Sequence, residues 1–178
     1  MSNTRKVILN KCYGGFDVSI KATLLYAYKK HMRVYLYELY ERAYRVNKYR
    51  KVNKSIKELL EEATDFSNDS FFTRKYLLLT KDFGDYLDES FLLTWNSWET
   101  QEEKDEYMFW YKEVEPSVLN LDSSYRTDKT LIKVVEELGK EASTSLSDLR
   151  IVEIPYKLDY VIDNYDGIEL LHKKVQVW

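Results

Sequence analysis

A chain of 178 residues with 44% hydrophobic and 32% charged side chains has the size and composition of one globular domain, and only two prolines and five glycines argue against a disordered or linker-rich chain. A single cysteine, Cys12, excludes an internal disulfide. With no charged start leading into an apolar run and no bilayer-length apolar stretch, the expectation is a cytoplasmic protein without membrane contact, and a net charge of −3 speaks against a duplex-DNA coat.

Arg5–Cys12 reads as a buried strand that enters a turn at Tyr13-Gly14-Gly15. Adjacent glycines either make a tight strand-to-helix turn or turn their amides towards an anion. Ser19 is placed to cap a helix whose apolar face, Ile20, Leu24, Ala27 and Tyr28, runs to about His31. Arg33–Leu39 suits a strand with a helical or irregular continuation.

Between Arg42 and Lys57 lie seven basic residues and no acidic one, interleaved with Tyr44 and Tyr49. Cations attract phosphate and aromatic rings stack on bases, so Arg42, Tyr44, Arg45, Lys48, Tyr49 and Arg50 are candidate ligand residues; a solvated charged face is the plainer reading. The sixteen tyrosines likewise suit either half-buried strand positions or recognition surfaces. Ser55 and Glu58 form a capping-box pattern for a helix through Ala63, so the basic region is expected to be a helical insertion over about residues 40–73.

Arg74–Thr80 reads as a central strand. The following Asp82-Phe83-Gly84 lacks every other element of a kinase and carries no kinase reading. Residues 85–106 are acidic and include Trp95 and Trp98; Thr100 with Glu103 predicts a short helix, and Tyr107–Lys112 a strand. A helix then begins at Arg126-Thr127-Asp128, with Leu131, Val134, Val135 and Leu138 on one stripe. Leu149–Pro155 and Leu158–Asp163 read as strands, Asn164–Gly167 as a turn, Ile168–Lys174 as a turn or two of helix, and Val175–Trp178 as a short edge strand. Tyr165 and Asp166 in that turn join the candidate ligand residues, as does Arg126. The fold class expected is α+β, with a mixed or antiparallel central sheet, helices packed on it and the helical basic insertion, all in a single domain over 1–178.

Two blocks, K-V-I-L-N-K-C-Y-G-G-F-D-V-S from Lys6 to Ser19 and the series R-T-D, L-I-K-V-V-E-E-L-G, L-R-I-V-E-I-P, D-Y-V-I-D-N-Y-D-G-I-E and Trp178, resemble a family of small bacteriophage-encoded proteins. The resemblance covers less than half of the chain. It implies phage origin, a shared scaffold and a place of action in the infected host cytoplasm, and it assigns no catalytic residue, since the family carries no settled activity. The long basic middle departs from shorter relatives.

Enzyme chemistry finds little footing. Two histidines, His31 and His172, and Cys12 lie far apart in sequence, and neither H-E-x-x-H nor C-x-x-C occurs, so no metal or cofactor is expected. The preferred reading is a phage accessory protein that counters host defence by binding, sequestering a nucleotide-derived anionic small molecule. The site then includes Tyr13, Gly14, Gly15, Arg126, Tyr165, Asp166 and the basic segment, and forms between subunits if the protein is a homo-oligomer. The alternatives are a protein-binding inhibitor of a host or defence protein and a nucleic-acid-binding accessory protein.

Overall fold

A computed structural model describes residues 3–42, 46–62, 75–90 and 100–174. The class is α+β, and all strand pairing in it is antiparallel. Strands β1 (Thr4–Asn10) and β6 (Leu149–Pro155) form one ribbon, and β7 (Tyr160–Tyr165) and β8 (Ile168–Lys173) form a second. A four-stranded sheet has the order β4-β2-β3-β5, from β2 (Tyr35–Arg42), β3 (Val46–Lys51), β4 (Tyr76–Leu79) and β5 (Tyr86–Ser90). The helices are α1 (Ile20–Lys29), α2 (Ile56–Glu61), α3 (Gln101–Phe109) and α4 (Lys129–Leu138). Among the described residues, no helix is long and apolar enough to cross a membrane.

Helix α1 sits at the junction of two cores. Ala22 through Ala27 are all buried, which is the pattern of a helix enclosed on every side. Its Ala22, Leu25 and Tyr26 pack with Ile8, the α4 stripe Leu131, Val134 and Val135, and Leu149. Its Leu24 packs instead against Leu36, Leu59 and Leu78. Ser19 caps its start by accepting the Ala22 amide, and His31, at φ +55, closes its end: His31 donates to Tyr28 and Met32 to Ala27, the paired bonds of a Schellman turn. Asp128 caps α4 through the Thr130 and Leu131 amides. Each fully buried Leu or Val of that stripe contributes about 1.5–3 kcal/mol.

Strand β4 is buried on both faces, which is why it reads as an unbroken apolar run, Tyr-Leu-Leu-Leu. Leu77 and Leu79 join Tyr37, Tyr49, Trp110 and Val114 on one face; Tyr76 and Leu78 join α1 and α2 on the other. The β7–β8 hairpin covers the β1–β6 ribbon through Ile162 and Leu171 against Val7, Leu9 and Ile154.

Several expectations change. Among the described residues of the basic region the helix is confined to α2; residues 46–51 are strand, because buried Asn47 and Tyr49 alternate with outward Lys48 and Arg50 at the period of two. Residues 63–74 lie outside the described residues, as do Trp95, Trp98 and Val175–Trp178. Tyr107–Lys112 is not a strand: the Thr100–Glu103 capping box starts α3, which runs into a π-helical turn at Trp110–Val114 that buries Trp110 and Val114. Ile168–Lys173 is strand rather than helix. Asp166 and Gly167, at φ +49 and +92, make the two-residue turn whose twist suits a hairpin, with Tyr165 paired to Ile168.

Candidate functional site

Two regions gather the polar side chains that composition alone leaves scattered. The first lies where β1 leaves the ribbon. Asn10 donates through Nδ2 to the Cys12 carbonyl (2.6 Å) and the Gly167 carbonyl (2.8 Å), while its Oδ1 accepts the Asp148 amide (2.8 Å). Its backbone N–H donates to Glu169 Oε2 at 2.9 Å, and Arg126 grips the same carboxylate with two bonds of 3.0 Å. The Arg126 guanidinium also faces the Phe16 ring, 5.4 Å from its centroid. Gly167 rests directly on the Gly14-Gly15 turn: a Cβ there would stand 2.5 Å from both glycine nitrogens.

The Tyr13, Gly14, Gly15, Arg126, Tyr165 and Asp166 candidates therefore belong to one neighbourhood, but as a scaffold junction. Gly167 lies close against the Gly14 and Gly15 nitrogens, so the turn is a packing contact between the two segments. Arg126 is committed to Glu169, whose side chain is 2% exposed. Tyr13 and Tyr165, 63% and 75% exposed, flank the junction on the outside. Cys12 lies beside it with Sγ 3.3 Å from the Leu146 carbonyl; burial, then the Asp148 charge, push its thiol up, which opposes use as a nucleophile. His172 pairs with Asp163 on the outer hairpin, and among the described residues no three of His, Cys, Asp and Glu are grouped to hold a metal.

The second region is a groove of about 400 Å³ between the α1–β2 turn, the start of β2 and the β3–α2 connection. Its floor is Leu24, Leu36, Leu59 and Leu78; its wall is Val34, Val52 and Ile56; its polar rim is Arg33, Lys51, Asn53 and Lys54. The Val52 amide donates to the Leu36 carbonyl (2.8 Å) and the Lys54 amide to that of Val52 (2.9 Å), which folds the connection over the sheet and brings both lysines to the rim. Arg33 and Lys51 share the Tyr35 ring, at 5.4 and 4.9 Å from its centroid. Lys51 reaches Asp82 at 2.7 Å and Lys54 reaches Glu62 at 2.7 Å. The hydrogen bond that Lys51 donates to Asp82 holds its ammonium above the ordinary range, and Lys51, then the Gly84 amide, hold the Asp82 carboxyl below its own. Arg33 has no carboxylate within ion-pair reach among the described residues.

No protein-family model, curated protein or solved structure matches the chain.

A second cleft, about 200 Å³ between α1 and β4, has Asp17 and Glu115 as its charged lining and no cation, and so repels anions. The basic-segment candidates divide sharply. Lys48 and Arg50 stand opposite Glu41 and Glu38 in the β2–β3 register and pair with them at 3.0 and 3.3 Å, so acidic residues of the preceding strand neutralise them. Arg42 is exposed at the end of β2. Tyr49 is no stacking platform: it is fully buried, and its hydroxyl donates to the buried Glu89 at 2.9 Å, beside Asn47 at 3.0 Å. Tyr44 and Arg45 lie outside the described residues. Sequence reasoning missed Arg33, Tyr35 and Asn53 as site residues and did not separate Lys51 and Lys54 from their neighbours. The available signal was the Val52 between them, an apolar residue interrupting the basic run.

Proposed function

We propose that the protein is a non-catalytic binder that sequesters a nucleotide-derived anionic small molecule, and that the groove rimmed by Arg33, Lys51 and Lys54 is its site. The observation that carries this reading is the combination of three cations with an aliphatic wall and a hydrophobic floor in one concavity. Ligand sites take this form, mostly apolar with a few placed polar groups that fix orientation. Among the described residues the groove is lined by no His, Cys, Ser, Thr, Asp or Glu, and its two lysines are held by Asp82 and Glu62, so the chemistry favoured is retention rather than turnover. The resemblance to phage-encoded proteins supplies a setting: removal of a nucleotide signal during infection of a host cell.

Native mass spectrometry tests this after incubation with a deproteinised nucleotide extract from infected cells. The expected result is a bound anion that is released chemically unchanged on denaturation. No uptake, or release of an altered compound, overturns the proposal.

A protein-binding inhibitor is the second reading, favoured by the exposed rings of Tyr13 and Tyr165 beside the rigid Gly14–Gly167 junction. Affinity capture from host lysate that yields one dominant partner, lost on Tyr13→Ala with Tyr165→Ala, would support it; retention of the partner by that variant would exclude this surface.

A further inference from the structure

The groove's charges are unequal, and the inequality says what kind of anion it takes. Lys51 and Lys54 each hold an internal carboxylate, Asp82 and Glu62, at 2.7 Å. Arg33 has none among the described residues, and its guanidinium is oriented by the Tyr35 ring. A planar guanidinium bonds a phosphate through two parallel N–H groups, so Arg33 is the position where an incoming phosphate gains most and displaces least.

A phosphomonoester carries nearly two negative charges at neutral pH. One is met by Arg33. The other competes with Asp82 for Lys51, which shares the Tyr35 ring with Arg33. Asp82 has another bond to fall back on, accepting the Gly84 amide at 3.0 Å through Oδ1 while Oδ2 faces Lys51. Release of Lys51 therefore leaves the Asp82 turn intact.

The rest of the ligand is set by size and lining. About 400 Å³ is near the lower end of small-molecule sites and suits one nucleotide unit rather than a chain of them. Tyr35 already carries two cations, which leaves Val34, Val52 and Ile56 as the apolar surface for a base, and Asn53, also in the lining, has an amide that can offer its edge a donor and an acceptor. A sugar phosphate would press unpartnered hydroxyls on that aliphatic wall, which is costly.

We propose, resting on the sequestration reading, that the groove binds a nucleoside monophosphate, with Arg33 as the phosphate anchor and Asp82 and Glu62 as internal counter-ions that the phosphate displaces from Lys51 and Lys54.

Calorimetry with adenosine monophosphate, adenosine and inorganic phosphate, at fixed ionic strength, tests this directly. The monophosphate is expected to bind at least about tenfold tighter than either fragment, because phosphate and base are held together. Arg33→Gln should weaken it by about tenfold or more, the scale of a lost charge-assisted pair, without changing adenosine binding. Asp82→Asn, which keeps the Oδ1 acceptor, and Glu62→Gln should each tighten it severalfold. Glu38→Gln, which frees Arg50 outside the groove, should not. Weaker binding in both Asp82→Asn and Glu62→Gln overturns the counter-ion role, and equal tightening by Glu38→Gln reduces it to general charge. Binding indifferent to Arg33→Gln overturns the anchor. Uptake of an anion from the cell extract with no preference for the monophosphate over adenosine defeats this inference while leaving sequestration standing; no uptake of either defeats both.

Discussion

Arg126 and Glu169 meet side by side, each guanidinium terminus 3.0 Å from a different carboxylate oxygen, across 43 positions of sequence. The Asn10 amide shares Glu169 Oε2 with Arg126, so the pair ties β1, the segment before α4 and the β7–β8 hairpin at one point. Removing one partner of such a pair leaves a charge with little water and no counter-ion. Glu169→Gln is expected to cost about 3–5 kcal/mol in urea unfolding. Combining it with Arg126→Met removes the orphaned cation and keeps an acceptor for Asn10, and should recover a large part of the loss. A single-variant loss under about 1 kcal/mol would mean that water reaches the guanidinium freely.

Two glycines with nearly the same φ separate conformational strain from steric contact. Gly84 and Gly167 have φ +91 and +92, but a Cβ meets nothing within 4 Å at Gly84, whereas at Gly167 it would stand 2.5 Å from the Gly14 and Gly15 nitrogens. Gly84→Ala should therefore cost only the left-handed penalty, about 1–2 kcal/mol. Gly167→Ala adds forced separation of the hairpin from the Gly-Gly turn, a further ~1–3 kcal/mol of overpacking. Thermal melts of the two variants give the comparison, and equal losses would show that the junction yields without cost.

The elements legible in the sequence are those whose signals are local. Ser19, Ser55, Thr100 and Asp128 mark helix starts by cap chemistry, and each caps in the structure. Ile168–Lys173 follows from the Asp166-Gly167 turn beside it, but two other readings are decided at a distance. Tyr107–Lys112 has strand composition, but capping from Thr100 and burial of Trp110 against Tyr49 make it helical. The basic run shows no acid within itself, yet Glu38, Glu41 and Asp82 come to it by strand register and turn geometry, which no linear reading of charge reveals. The groove is illegible for the same reason: the β2–β3 pairing brings Lys51 to the ring of Tyr35, where Arg33, two residues before it, already lies.

Tyr49 and the outward cations of β3 give opposite signatures. Tyr49→Phe removes one of the two neutral donors that Asn47 and Tyr49 offer to the buried Glu89, and is expected to cost about 1–3 kcal/mol of stability. Adenosine monophosphate affinity should not move, because neither Tyr49 nor Glu89 lines the groove. Lys48→Gln with Arg50→Gln should leave that affinity unchanged as well, since Glu41 and Glu38 already neutralise both. A tenfold loss of affinity in either variant would move the site from the groove to the exposed β3 surface.

Acid stability should depend measurably on Asp128. Burial alone raises its carboxyl, but the Leu131 amide, the Lys30 ammonium and the Thr130 amide together outweigh that and hold it below its ordinary value of 3.8. A depressed folded-state value means that the charged form contributes stability at neutral pH, fully present above the unfolded value of about 3.9, and that the contribution is lost as pH falls through the lower folded value. Asp128→Asn keeps a capping oxygen while removing the charge, so its unfolding midpoint should start below wild type at pH 7 and converge on it as the pH drops below about 3.9. Asp128→Ala removes the cap too and should remain lower by about 1 kcal/mol even in acid, where a protonated carboxyl still offers an acceptor. Urea titrations at steps between neutral pH and the acid limit resolve the two effects: a gap between wild type and Asp128→Asn that stays constant through that range would assign the whole difference to cap geometry, and none of it to the carboxylate charge.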